Sequence, residues 1–78
     1  MKEQEFKKEI ERLICVFNAP KNYGPLMLQC YYEALTEISV DELKRVVSLC
    51  ISNEYAFPLP VTMRSYAHNL SQPQPNVK

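Results

Sequence analysis

A single glycine in 78 residues leaves no material for a phosphate-cradling loop, which needs several backbone positions free of a Cβ. A single histidine, His68, and the lack of any run rich in aspartate or histidine leave no motif with metal-ligand spacing. No metal and no other cofactor is therefore expected. Nor does His68 have a nucleophile and an orienting acid at a spacing that would build a catalytic constellation. It reads as a surface histidine, and the chain reads as a protein without enzymatic activity. Three cysteines, Cys15, Cys30 and Cys50, are odd in number, widely spaced and without a C-x-x-C pair, which excludes a paired disulfide framework and a zinc site. They are expected to be reduced, mostly buried small side chains of a cytoplasmic protein.

An excess of charge is also lacking. Nine basic and nine acidic residues cancel, so no global field draws the chain to nucleic acid or to a membrane surface. Direct binding of nucleic acid is not expected. The longest apolar run, "LICVF", is far too short to span a bilayer and lies within a charged segment, so neither a membrane span nor a signal peptide is expected. A chain of this length forms one domain and typically buries only about 60–65% of its unfolded surface.

What the sequence does contain is helical periodicity. Phe6, Ile10, Leu13, Ile14 and Phe17 share one helical face, which predicts a first helix over residues 2–17. Its other face, with Lys7, Lys8 and Arg12 interspersed among Glu5, Glu9 and Glu11, is expected to be solvated, since alternating signs suit water better than a phosphate backbone. "NAPKNYGP" punctuates a loop, and Pro25 suits the first turn of a second helix over residues 25–38. There Met27, Leu28, Cys30, Tyr31, Ala34, Leu35 and Ile38 span an arc broad enough for the central helix of a bundle, with Tyr31 and Tyr32 in packing roles.

"SVDE" is a capping box that starts a third helix after Ser39. Val40, Leu43, Val46, Val47, Cys50 and Ile51 form its apolar face, and Leu49 stands apart as an exposed leucine. Pro58 and Pro60 require that helix to stop near Asn53 or Glu54, after which Phe57 fills the corner. Pro60 then suits the first turn of a fourth helix, "PVTMRSYAHNL", with Val61, Met63, Tyr66, Ala67 and Leu70 inward. The two prolines mark a helix junction and not a proline-rich ligand, which would need an extended stretch in solvent. "SQPQPNVK" is polar and proline-broken, as a mobile tail would be. The expected architecture is all-α: a small bundle of four helices over residues 1–70 with a short disordered C-terminal tail over residues 71–78.

Residues 27–66 carry a resemblance. Tyr32 and Leu35 followed by "EIS", the helix "DELKRVV", and the aromatic and prolines leading into a short helix in "FPLPVTMRSYA" resemble the folded N-terminal domain of phage replicative-helicase loaders and related phage replication P-type proteins. Members of those families tend to carry a polar cap between the prolines. Here Leu59 stands in that place and is expected to pack instead. The resemblance implies a protein partner, a replicative helicase or another DNA-replication protein, which the chain would recruit or inhibit. A different class of function is a small inhibitor of another host or defence enzyme acting through the same helical surface. A nucleic-acid adaptor is disfavoured by the zero net charge. The candidate partner-binding residues are Leu49 and Tyr55, bordering an apolar patch at the junction of the third and fourth helices, and Arg64 at its rim. The tail from Ser71 onward is the rival binding segment.

Overall fold

The computed structural model describes residues 1–71, and these form four helices without a strand: α1 (Glu3–Val16), α2 (Pro25–Ala34), α3 (Val40–Asn53) and α4 (Pro60–Ser71). The all-α bundle is thus as the periodicity predicts. The expected tail gives up Ser71 to α4, and its remaining positions, 72–78, lie outside the described residues.

Local chemistry places the boundaries. Ahead of α3 the Ser39 hydroxyl accepts from the Glu42 backbone N–H at 3.1 Å, and the Glu42 carboxylate accepts from the Ser39 N–H at 3.0 Å. Two amides that the helix start would leave unpaired are thereby satisfied. Glu5 does the same for the Lys2 N–H at the start of α1, at 3.0 Å. Pro25 and Pro60 both occupy first helical positions, where a missing N–H costs nothing. Gly24, just before α2, has φ 169°, an extended backbone that any residue adopts, and a Cβ there would meet nothing within 4 Å.

Each helix brings its apolar face to one core. Phe6, Ile10 and Leu13 come from α1; Met27 and Tyr31 from α2; Leu43, Val46, Val47 and Cys50 from α3; Met63 and Ala67 from α4. Leu35, just past α2, completes it. Truncating a fully buried side chain such as Leu13, Leu43 or Met63 to alanine removes about 2–5 kcal/mol.

Four expectations are corrected here. The central helix is α3, which packs on both α1 and α4, and not α2, whose contact with α1 is slighter. Second, α2 ends at Ala34 and not at Ile38: the chain tightens, with Leu35 N–H donating to the Tyr32 carbonyl at 3.1 Å and Ile38 N–H to that of Leu35 at 3.3 Å. This turn reverses the chain into α3. Third, Glu9 is buried at 4% exposure, because α3 covers the flank of α1 that charge alternation assigned to water. Arg12 makes this burial tolerable: its guanidinium donates to Glu9 Oε1 at 2.6 Å and to Ser48 Oγ of α3 at 3.0 Å. A buried carboxylate without such a partner would be strongly destabilising. Fourth, of the three cysteines only Cys50 is buried. Cys15 lies on α1 roughly opposite the Ile10–Leu13 face, and Cys30 is exposed on α2.

Candidate functional site

Tyr31 organises the junction between α2 and the segment that joins α3 to α4. Its ring is buried, packs edge-on against Phe57 with centroids 6.1 Å apart, and its hydroxyl donates to the buried Pro58 carbonyl at 2.9 Å. Burial pushes the phenol above its ordinary pKa. The bond holds the proline segment against α2 and uses the polar end of Tyr31 internally, so the face that remains is apolar.

Two clefts adjoin along this seam. One, of about 400 Å³, is lined by Asn18, Pro20, Asn22, Met27, Tyr31, Ala56, Phe57 and Leu59. The other, of about 330 Å³, is lined by Asn22, Leu26, Met27, Cys30, Tyr31 and Pro60. Asn22, Met27 and Tyr31 belong to both, so the two form one groove. At its margins stand Leu26, 76% exposed, and Leu59, 61% exposed. Val61, which follows the proline segment and was expected to face inward, is 65% exposed, and Tyr55, which precedes that segment, is fully exposed.

No charged residue lines either half of this groove. Two other clefts carry charge: one of about 270 Å³ between α1 and α2 contains Glu3 and Lys7. Another, of about 240 Å³, contains Glu37, Glu42, Arg64 and His68 among its lining. That last cleft brings acidic and basic side chains together on one face. Among the described residues no group of three His, Cys, Asp or Glu side chains is placed to hold a metal ion. An uncharged groove with exposed aliphatic margins suits the apolar side chains of another protein.

The residues singled out from sequence share none of these four clefts. Tyr55 is fully exposed, next in sequence to Ala56 of the groove wall. Leu49 is half-buried on α3, so it is not the exposed leucine that its helical position implied, and it lies outside the core cluster and lines none of these four clefts. Arg64 belongs to the charged cleft with Glu37, Glu42 and His68. Leu59 does not pack, contrary to expectation; Phe57 and Pro58 occupy the inward positions and leave it in solvent.

Sequence reasoning missed Leu26 and Cys30. A signal for them was present in the breadth of the apolar arc of α2. That arc is wide because part of it faces the core and part lines the groove.

A second polar cluster closes the other end of the junction. Tyr66 donates to Glu54 Oε2 at 2.7 Å, tying α4 to the residue that ends α3. The hydrogen bond to the carboxylate raises the Tyr66 phenol to about 12, and burial, with the Glu54 charge second, pushes the Cys50 thiol to about 11. Both groups are held neutral, which suits a structural clasp and not a nucleophile.

No described helix is long and apolar enough to cross a membrane. No family model, curated protein or solved structure matches this chain.

Proposed function

We propose that this chain is a non-enzymatic protein-docking module of phage type that binds a DNA-replication protein, in the first instance a replicative helicase, to recruit or inhibit it. The observation that carries the docking role is the groove of two adjoining clefts, lined by no charged residue and bordered by exposed Leu26 and Leu59. Fully burying each of those side chains in a partner contributes about 1.5–3 kcal/mol, enough to make them anchors. Support for the partner class comes from the resemblance of "DELKRVV" and "FPLPVTMRSYA" to helicase-loader domains, whose proline junction corresponds here to the segment that walls the groove. Two surface thiols, Cys15 and Cys30, suit a reducing compartment, and the site of action in this reading is the cytoplasm.

The test is binding of the purified chain to a bacterial replicative helicase, measured by interferometry together with the helicase's ATPase rate. Leu26→Asp and Leu59→Asp, at exposed positions that leave the core intact, should each weaken binding by about tenfold or more. Tyr55→Ala should weaken it less, and Leu49→Asp and Arg64→Ala should leave it unchanged. Undiminished binding in both groove variants would remove the groove from the function. An intact, folded chain with no affinity for the helicase would overturn the partner and leave another enzyme as the target.

A further inference from the structure

α2 is held less firmly than the helices around it. Fully buried side chains come from α1, α3 and α4, whereas the two buried residues of α2, Met27 and Tyr31, keep 8% and 7% exposure, the largest values in the core. α3 packs closely on α1 and on α4, while the main helix contact of α2 is the slighter one with α1. All four clefts described above are lined in part by α2: by Leu28 and Tyr32 in one, by Ala34 in another, and by Met27 and Tyr31 in the remaining two. Space beside a helix is contact that the helix does not make, so lifting α2 away costs less packing than lifting α3.

Two adjacent tyrosines fasten this helix. Tyr31 donates to the Pro58 carbonyl at 2.9 Å on one side, and Tyr32 donates to the Met1 carbonyl at 2.7 Å on the other, with its ring edge-on to Phe6 at 5.4 Å. Non-helical chain flanks α2 at both ends, residues 17–24 before it and 35–39 after it, so a change of backbone angles there swings α2 without unwinding α1 or α3. We infer that α2 is a hinged lid over a core of α1, α3 and α4, and that it opens as one unit while that core stays folded. The opening belongs to the free chain and goes beyond the docking role. Where the groove is read as a docking surface, the lid controls it: α2 supplies one wall and the proline segment the other, so only the closed form offers the groove and apparent affinity falls with the fraction open.

Native-state hydrogen exchange of the full chain, followed by NMR in low urea, reads the opening residue by residue. The amides of residues 28–34 should exchange about tenfold or more faster than those of residues 46–50 after correction for intrinsic rates, and should share one urea dependence, shallower than that of α3. A pair of variants separates lid opening from global unfolding. Tyr31→Phe removes a bond that both events break, so it should speed the α2 and α3 amides by the same factor, about fivefold or more. Tyr66→Phe removes the tie from α4 to Glu54, which the open form keeps, so it should speed the α3 amides about threefold or more and leave those of α2 unchanged.

Amides of α2 that are as slow as those of α3, or that follow the same urea dependence, overturn the inference, because α2 then opens only when the whole chain does. So do α2 amides with separate rates and no urea dependence, which is fraying residue by residue. An α2 rate raised by Tyr66→Phe as much as the α3 rate overturns it too. The helicase experiment fails separately, since exchange is recorded without a partner. A lid that opens in a chain without helicase affinity leaves this inference standing, whereas helicase binding with α2 as firm as α3 leaves only the docking role.

Discussion

Removing one oxygen from Tyr31 tests how the groove is held in shape. Tyr31→Phe keeps the ring, its edge-on contact with Phe57 and nearly all of its volume, and deletes only the donor to the Pro58 carbonyl. Tyr31 is 7% exposed and Pro58 is buried, so the carbonyl loses its partner in a place that water reaches poorly. An ordinary exposed hydrogen bond is worth about 0.5–1.5 kcal/mol net, but a stranded buried acceptor adds its desolvation cost and brings the loss to about 1–3 kcal/mol. For a domain of this size each kcal/mol moves the midpoint by about 4–8 °C, so the fall in Tm should be about 5–20 °C. Urea denaturation should show the same loss with an unchanged slope, since the surface exposed on unfolding is the same. Tyr32→Phe is the matched control. Its hydroxyl donates to the Met1 carbonyl at 2.7 Å in a half-buried site at the chain start, where water can replace it, and the cost should be below about 1 kcal/mol. A Tyr31→Phe variant that melts within about 2 °C of the parent, or no lower than Tyr32→Phe, would refute the claim that this bond fastens the proline segment to α2.

Three further outcomes are expected. Ser39→Ala should lower stability by about 0.5–2 kcal/mol in urea denaturation, through loss of the acceptor for the Glu42 N–H; an unchanged midpoint would contradict the cap. In the native protein an aromatic disulfide reagent should titrate Cys15 and Cys30 rapidly and Cys50 only after denaturation, and immediate reaction of all three would contradict the packing of α3. Stability should fall in alkali. Cys50 and Tyr66 keep their protons more tightly when folded, rising from 9.0 to about 11 and from 10.0 to about 12, so the stabilisation is complete below their unfolded values and lost as pH climbs through the folded ones. Denaturant midpoints measured from pH 8 to pH 12 should decline above about 9, and Tyr66→Phe should flatten the part of the decline above about 10. A midpoint that does not change over that interval would refute the assignment.

The positions of the helices were determined by the sequence itself, because the signals are local. "SVDE" forms its two hydrogen bonds within four residues, and Pro25 and Pro60 act on the turn they begin. Apolar spacing along one chain segment likewise shows which way a helix faces relative to its own axis. What covers that face is a property of pairs of elements, and only the tertiary structure decided it. Glu9 and Leu26 show the difference in opposite directions. Glu9 sits on a flank with the charge alternation of a solvated surface, yet α3 lies over it and Arg12 supplies the counter-charge. Leu26 extends an apolar arc suited to a core, yet it stands 76% exposed. Leu59 follows the same logic: between two prolines its environment depends on which of Phe57, Pro58 and Leu59 turns inward, and the bond from Tyr31 to Pro58 fixes that choice across 27 residues of chain. The exposure of Tyr55 in the helix junction was legible from the prolines that follow it, whereas the groove beside it joins residues from α2, the loop before it and the α3–α4 segment. No spacing along the chain encodes that meeting, because it joins residues far apart in sequence.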